Sequence, residues 1–470
     1  RNNNSAKKLT KCVTLEGVRG HQQALQDIAD ANNGTRVSGS PGYDASADYA
    51  EKVFRDAGYI VTRQNFEFQT FIELTPTTLA LVSPTPTAAI PTSILSYSGS
   101  GSVTAPVSVL PTITGCNTVD FAGFTAGNIA LISRGACTFA TKATNAQAAG
   151  ASAVVIYNNV PGELNGTLGA TFTLDIAVTS VEQGVGTQLA SLTGLVLSIN
   201  TNTFRGTATT SNILAESQRG DADNVIMVGA HLDSVNEGPG IQDNGTGSAS
   251  ILEVAQQMAK VKPRNKVRFA LWGAEESGLV GSTNYVNGLT PEERAKIALY
   301  LNFDMIGSPN YVFFVYDGDD SDATGSGPGP EGSAQIEKVF ESFYTGRGVA
   351  FKGTDFDGRS DYRPFILANI PAGGLFTGAE GIKTAAEAEL WGGITGTAYD
   401  PCYHQACDNF GNINLFALDT NSDAVAYSTL YWAKSKTPRA AVAPAAAGAR
   451  SAARGAPVPP WSDPHQHVPE

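Results

Sequence analysis

The sequence of 470 residues is poor in several features that mark particular protein classes. No apolar run approaches the roughly 18 residues that a membrane-spanning helix needs, so we expect no transmembrane segment. Lys and Arg together number 31 against 44 Asp and Glu, and the net charge is −13. Because an acidic surface repels nucleic acid and anionic membranes, we expect neither as a partner.

Cysteine is also scarce, with five in the chain. Four of them form two pairs that are close in sequence, and we expect disulfides between Cys116 and Cys137 and between Cys402 and Cys407. Disulfides persist in oxidising compartments, which favours a secreted or cell-surface protein. Cys12 is left as a buried thiol or as the partner of another chain. The sequence begins with Arg1 and shows no signal-peptide core, which we interpret as a mature or trimmed form.

The length and the change of composition along the chain predict a discontinuous α/β protein. A chain of 470 residues with 42% apolar residues is long enough for more than one packed core. Residues 12–74 and 208–436 alternate between helix and strand patterns, whereas residues 75–207 are rich in Thr, Ser, Pro, Gly and Val. We therefore expect one α/β domain interrupted by a β-rich insert at 75–207, followed by a flexible Ala/Pro-rich tail at 437–470.

Hydrophobic periodicity assigns the main elements of the α/β part. Apolar residues at helical spacing predict helices, and alternating or continuous apolar runs predict strands. The predicted helices are 14–32, 44–57 and 248–261, and the predicted strands are 59–68, 224–230, 267–273 and 298–303.

Acidic and imidazole groups follow three of these strands. His231 comes directly after the strand that ends near Ala230, Glu275 follows the next strand, and Asp304 follows the third. In open α/β sheets, ligands bind in the crevice beyond the carboxyl ends of the strands. The placement therefore predicts a site rather than three unrelated loop tips.

The residue types in this series favour a metal. The chain has only five histidines, and two of them, His231 and His404, stand at the two ends of a series of carboxylates. Imidazole and carboxylate are ligands that zinc prefers, and five such groups are enough for two ions if one carboxylate bridges them. In the adjacent pair Glu275-Glu276, one carboxylate can bind metal while the other takes a proton from activated water. Water attack on a carbonyl is amide or ester hydrolysis.

The whole series resembles the M28 family of zinc peptidases, most closely its secreted aminopeptidases. The motifs are H-x-D at 231–233, D-N-G at 243–245, E-E at 275–276, the lone Asp304 and Y-H-x-x-C-D at 403–408. The resemblance covers the α/β part and implies a mixed β-sheet flanked by helices. It implies two zinc ions, with Asp243 as the bridging ligand. The ligands of the first ion are His231, Asp243 and Asp304, and those of the second are Asp243, Glu276 and His404.

The resemblance also implies roles for residues that do not bind metal. Glu275 corresponds to the general base, and Asp233 to the carboxylate that orients His231. Tyr403 corresponds to the group that stabilises the oxyanion. Arg359 lies in a segment similar to the one that lines the substrate pocket. The expected substrates are peptides with a free N-terminal amine.

The insert has a resemblance of its own. Residues 128–158 resemble the protease-associated (PA) domain, with R-G-x-C-x-F at 134–139 and A-G-A at 149–151. The resemblance implies packing or control of substrate access rather than chemistry.

Two alternatives to a zinc aminopeptidase come from other classes. One is an enzyme of the same fold, either carboxypeptidase-like or a one-zinc glutaminyl cyclase. The other is a receptor-type module that has lost its metals. The complete ligand series with Glu275 disfavours the receptor module, and the presence of both Asp243 and His404 favours two metals over the cyclase. Arg359 and Arg363 are the nearby cations that a carboxypeptidase would require.

Overall fold

A computed structural model describes residues 2–110, 115–162, 164–323, 325 and 327–438. These residues form two compact units. The first unit comprises the chain up to Phe68 and from Thr209 onward, and the second unit comprises Gln69–Ala208. The tail expected from residue 437 lies outside the described residues beyond Pro438. Within the described ranges, no helix combines the length and the apolar character needed to cross a membrane.

The elements are numbered in chain order. The α-helices are α1 (Ala6–Thr10), α2 (Leu15–Ala31), α3 (Pro41–Asp56), α4 (Phe139–Ala148), α5 (Gln183–Ala190), α6 (Gly245–Met258), α7 (Val280–Gly288), α8 (Pro291–Lys296), α9 (Ser333–Arg347), α10 (Tyr362–Leu367), α11 (Ala385–Trp391) and α12 (Leu415–Lys434). The strands are β1 (Ile60–Ser83), β2 (Ala88–Ile90), β3 (Ser93–Ile94), β4 (Gly101–Val109), β5 (Ile129–Ser133), β6 (Ala153–Tyr157), β7 (Ala177–Val181), β8 (Val196–Glu216), β9 (Asp221–His231), β10 (Asn265–Trp272), β11 (Ile297–Phe303), β12 (Phe314–Tyr316), β13 (Lys352–Thr354) and β14 (Ala372–Phe376). A short 3₁₀ helix covers Thr118–Phe121.

The first unit is built on a mixed sheet, which confirms the predicted fold class. Its strand order is β13-β12-β14-β11-β9-β10-β8. The central strands β10, β9, β11 and β14 are parallel, whereas β8 and β12 run antiparallel to their neighbours β10 and β14. Every residue of β11 is buried, as expected for a central strand covered on both faces.

Successive residues of the central strands supply separate cores on the two faces of this sheet. Ile226 and Val228 of β9 belong to the core that includes residues of α2, α6 and α12. Val225 and Met227 belong to a second core that includes residues of α7 and α10. This alternation is the period of two that a strand imposes on its side chains. Helices therefore cover the sheet on both sides and leave its strand ends for the site.

The helices begin where local capping favours it. The side chain of Thr14 accepts the N–H of Gly17 at the start of α2, and Ser40 accepts that of Tyr43 at the start of α3. Such caps satisfy backbone donors that have no partner inside the helix. The predicted helix at 44–57 thus begins a few residues earlier than its apolar pattern alone indicates.

The second unit has its own sheet and cores. Its strand order is β8-β4-β5-β6-β7-β3, with β5, β6 and β7 parallel. The disulfide Cys116–Cys137 lies in this unit, with an S–S distance of 2.04 Å. The strand predicted at 59–68 instead continues as β1 through Ser83, because β1 pairs with β8 and, at residues 79–81, with β2.

Candidate metal centre

Three parallel strands of the first unit end at one edge of its sheet. β9 ends at His231, and Trp272 at the end of β10 is its register partner. Glu275 follows shortly after β10, and Asp304 comes directly after β11. Because β10 and β11 flank β9 in parallel, the groups beyond their carboxyl ends converge.

Two further groups reach this edge from loops. Asp243 precedes α6, and the peptide bond that joins it to Asn244 is cis. The Asn244 side chain caps α6 by accepting the N–H of Gly247 at 2.9 Å. His404 belongs to the loop between α11 and α12 and has a left-handed φ of 55°.

Asp243 lies between the two imidazoles. Its Oδ1 is 3.1 Å from Nε2 of His231, and its Oδ2 is 3.2 Å from Nε2 of His404. Each carboxylate oxygen therefore faces a different histidine. All three side chains are buried or nearly so, with His404 the most exposed at 11%.

The other carboxylates lie around the two imidazoles. Nε2 of His231 is 3.3 Å from Oδ1 of Asp304 and 3.8 Å from Oε2 of Glu275. Nε2 of His404 is 3.1 Å from Oε2 of Glu276. Both glutamates lie within 4.8 Å of other donor atoms in groups of three that could hold a metal ion. Distances alone therefore do not distinguish the roles predicted for the two glutamates.

The site contains more carboxylates than positive groups. Burial raises the pKa of Glu275 well above its usual range, and Glu276 and Asp361 raise it further against the opposing effect of His231. Burial also raises the pKa of Glu276 to about 7 and that of Asp361 to about 8. The protein by itself thus leaves these carboxylates short of balancing positive charge.

The histidines respond to the same imbalance. Burial lowers the pKa of each imidazole, but carboxylates such as Asp304 for His231 and Glu276 for His404 more than offset this effect, and both pKa values are well above the usual range. For Asp243, burial raises the pKa, but hydrogen bonds with the two histidines outweigh it and hold the pKa below its usual range.

This donor set fits zinc. Oδ1 of Asp304 is buried and accepts no hydrogen bond from any described residue, which is costly unless a cation approaches it. Imidazole nitrogens and carboxylate oxygens are the ligand types of zinc sites. A divalent ion would supply the positive charge that the buried carboxylates lack.

Asp233 joins two of the loops that form the site. Its carboxylate oxygens accept the backbone N–H groups of Glu275 at 3.2 Å and Glu276 at 3.3 Å. Nδ1 of His231 lies 3.1 Å from the Asp233 carbonyl oxygen and 3.6 Å from its Oδ1. The residue that the sequence predicted beside His231 therefore also fixes the turn that carries the glutamates.

Sequence reasoning missed two buried residues that shape the site. Asp408 accepts the backbone N–H of Gln242 at 2.8 Å and that of Asp243 at 3.0 Å. The guanidinium of Arg36 donates to the carbonyls of Leu232, Pro239 and Gly240 and so holds the loop after β9. Asp408 lies inside the Y-H-x-x-C-D motif, which could have indicated it. No local pattern marks Arg36.

Tyr403 and Arg359 lie on the His404 side of the site. The Tyr403 ring stacks on that of His404 with centroids 3.8 Å apart. Nη2 of Arg359 donates to the Tyr403 hydroxyl at 3.2 Å, while its Nη1 pairs with Glu380 at 2.7 Å. The expected disulfide Cys402–Cys407 is present and closes the loop around Tyr403 and His404.

Comparison with known proteins identifies the family. Residues 212–429 match the family described as peptidase family M28, and residues 103–189 match the PA domain. An aminopeptidase from Pseudomonas aeruginosa is 46% identical over 437 residues, which cover 90% of this chain and 81% of that protein. The chain belongs to peptidase family M28.

Solved structures of M28 relatives share this fold. An aminopeptidase from Aneurinibacillus sp. strain AM-1 is 28% identical, with a TM-score of 0.70, covering 91% of this chain and 96% of its own. A zinc aminopeptidase from Bacillus subtilis is 25% identical, with a TM-score of 0.68, covering 90% of this chain and 96% of its own. The predicted M28 resemblance and the inserted PA domain are both confirmed. The matched M28 segment contains every proposed metal ligand.

Proposed function

We propose that this protein is a two-zinc aminopeptidase that removes N-terminal residues from peptides with a free amine. The observation that carries the proposal is the position of Asp243, whose two oxygens face His231 on one side and His404 on the other. A carboxylate in this position is suited to bridge two cations. The names of the M28 relatives support the same activity.

The proposed ligands follow the two sides of Asp243. His231 and Asp304 complete the first zinc site, and Glu276 and His404 complete the second. The nitrogen–oxygen distances of 3.1–3.3 Å around each imidazole support this division. Zinc bound there would supply Lewis-acid activation of water and of the scissile carbonyl.

Glu275 is proposed as the general base. The M28 motif supports this assignment, and Oε2 of Glu275 lies 3.8 Å from Nε2 of His231, close to the proposed ligands. Its carboxylate would take a proton from the attacking water and return it to the leaving amine. Asp233 would keep this side chain in place by holding the backbone N–H groups at 275 and 276.

Tyr403 is proposed to stabilise the oxyanion. Since its hydroxyl oxygen already accepts a hydrogen bond from Arg359, the hydroxyl proton remains available for donation to substrate. Arg359 would thus contribute to substrate binding by orienting this hydroxyl. Glu380 holds the guanidinium in turn.

The substrate class is proposed from the relatives and the location from the disulfides. The names of the aminopeptidase relatives support a substrate with a free amine beside the scissile bond. The two disulfides support an extracytoplasmic location, secreted or at the cell surface. We further propose that residues 12–74 and 208–436 form the catalytic domain and that the insert serves packing or access.

Cleavage of free-amine and N-acetylated leucine and lysine anilides tests the activity. We expect the free-amine forms to be preferred by about 10²-fold or more, because a site built for a polar group discriminates against its loss. Phenanthroline should abolish cleavage, and zinc should restore it. The wild-type protein should bind two zinc ions per chain when titrated with the metal.

The alternatives give different outcomes. Equal cleavage of acetylated anilides would contradict an aminopeptidase, and cyclisation of N-terminal glutamine with one zinc would indicate a cyclase. An inactive protein that binds no zinc would indicate the receptor-type module. The Glu275→Gln variant serves as the inactive control for contaminating peptidases.

A further inference from the structure

A line of hydrogen bonds connects the apolar core to Asp304. Nε1 of Trp272 donates to the Tyr300 hydroxyl at 2.9 Å, which donates to Oδ1 of Asn302 at 2.9 Å. Nδ2 of Asn302 donates to Oγ of Ser360 at 2.9 Å. Ser360 then donates to Oδ2 of Asp304 at 2.6 Å. The line ends on a proposed zinc ligand.

The groups at the two ends of the line are consistent with a single direction of its bonds. The indole N–H of Trp272 can donate but cannot accept, so the Tyr300 hydroxyl must point its own proton elsewhere. That proton goes to Asn302 and fixes which end of its amide faces Ser360. Ser360 accepts from the amide and is left to donate to Asp304. With an indole that only donates at one end and a carboxylate that accepts at the other, the bonds of the line run in one direction.

The surrounding residues hold this line rigidly. Trp272 and Tyr300 are fully buried, and Asn302 is 1% exposed. The Tyr300 ring stacks on Phe365 with centroids 4.0 Å apart and planes 4° apart. Gly229 of β9 provides the room, since a Cβ added there would lie 2.4 Å from the Tyr300 hydroxyl oxygen.

The two oxygens of Asp304 are consequently not equivalent. Oδ2 is occupied by the Ser360 hydroxyl, whereas Oδ1 accepts no hydrogen bond from the described residues and lies 3.3 Å from Nε2 of His231. A carboxylate free to rotate would exchange these oxygens. The donor on Oδ2 prevents this and directs Oδ1 toward the donor atoms of the site.

We infer that Tyr300, Asn302 and Ser360 are positioning residues for the zinc ion that Asp304 is proposed to bind. The inference rests on the proposed function and goes beyond its ligand set. The line begins at Trp272, so an indole in the core supports the hydroxyl that occupies Oδ2 of Asp304 and leaves Oδ1 to face the donor atoms of the site. Loss of any of these residues should weaken the binding of that ion more than the binding of the ion on the His404 side.

Zinc titration of the metal-free full-length protein against a competing chromophoric chelator tests this inference. Tyr300→Phe removes one oxygen atom and should weaken the binding of one zinc ion. Its dissociation constant should rise by about tenfold or more, while that of the other ion stays unchanged. Ser360→Ala should have the same effect by removing the last donor. Ser360→Thr retains a hydroxyl and should restore most of the affinity.

Tyr344→Phe is the matched control. Tyr344 is also fully buried, and its hydroxyl donates to Oδ1 of Asn421 at 2.6 Å. Tyr344→Phe should lower the melting temperature of the metal-free protein about as much as Tyr300→Phe does. It should leave both zinc dissociation constants unchanged. Thermal melting of each metal-free variant separates loss of folding from loss of metal.

The outcomes separate this inference from the proposed function. If the wild type binds two zinc ions and both Tyr300→Phe and Ser360→Ala bind them equally well, the inference fails while the function stands. Equal weakening by Tyr344→Phe would also overturn it, because the effect would then follow stability alone. If the wild type binds no zinc, the proposed function fails and the inference with it.

Discussion

The side chain of Asp408 binds the backbone of Asp243 and not the Asp243 side chain. One oxygen of Asp408 accepts the N–H of Asp243 at 3.0 Å, and the other accepts that of Gln242 at 2.8 Å. Because the peptide is held in this way, the Asp243 carboxylate is left to face both histidines. The carboxyl oxygens of Asp408 shape a loop, while those of Asp243 remain available to the histidines.

The first prediction concerns the bridging position. Asp243→Asn should reduce zinc at both sites together, since the variant removes a negative charge shared by two ions. Elemental analysis after dialysis against dilute zinc would measure the content. Asp317→Asn changes another buried aspartate, outside the site, and should retain two ions. Normal zinc and turnover in Asp243→Asn would show that this residue does not bridge.

The second prediction separates the adjacent glutamates, which distances alone do not distinguish. Glu275→Gln should retain zinc while kcat falls by roughly 10²-fold or more, a typical scale for losing general-base help. Glu276→Gln should instead lose zinc from the His404 side. Each variant is the control for the other. The opposite pattern would exchange the two roles.

The third prediction concerns the disulfide that encloses His404. Replacing Cys402 and Cys407 by serine frees the loop and should weaken the zinc ion on the His404 side by about tenfold, as loss of ligand orientation does. Cys116 and Cys137 lie in the second unit, and replacing both by serine should leave both zinc dissociation constants unchanged. Equal effects of the two double variants would argue against local positioning.

The fourth prediction concerns a carboxylate outside the metal site. Burial raises the pKa of Glu337 to about 7, and Asp319 and Asp317 add to the rise against the backbone N–H of Gly318. The folded state therefore binds this proton more tightly than the unfolded state. This tighter proton binding stabilises the folded protein fully below the unfolded-state pKa of 4.5. The stabilisation is lost as the pH rises through the folded-state pKa of about 7.

Glu337→Gln should remove this dependence. The free energy of unfolding of the variant should exceed that of the wild type at about pH 8, and the advantage should disappear near about pH 4.5. Denaturant titrations of the zinc-loaded proteins at both pH values would measure it. Glu331 is exposed and close to Glu337 in sequence, so Glu331→Gln serves as the control. Its free energy of unfolding should equal that of the wild type at each pH. A difference that is constant with pH would rule out titration of Glu337.

Local sequence patterns predicted the elements that present the site. The continuous apolar runs of β9, β10 and β11 are as buried as expected, and the helix predicted at 248–261 is α6, beginning at Gly245. Strong periodicity was sufficient there because one physical requirement, burial, dominates those segments. The long strand β8 was not predicted, because its Thr-rich first half remains half-exposed and owes its structure to pairing with β4.

The supporting contacts of the site were harder to predict. Trp272 lies in the apolar run predicted as the strand 267–273 and is fully buried, but its single polar atom also begins the line that ends at Asp304. Arg36 bonds to carbonyls some 200 positions later in the chain, a relationship that no window of sequence contains. Such contacts depend on the completed fold, whereas the proposed metal ligands were suggested by their residue types.

The distance along the chain between Arg36 and Asp408 has a consequence for biosynthesis. The loops that carry His231 and Asp243 are held by one residue made before the insert and another made well after it. A nascent chain that has not yet reached His404 therefore contains neither the full ligand set nor the contact that shapes the Asp243 loop. Peptidase activity should begin only after the segment with His404 and Asp408 has emerged from the ribosome, so the order of synthesis itself delays hydrolysis.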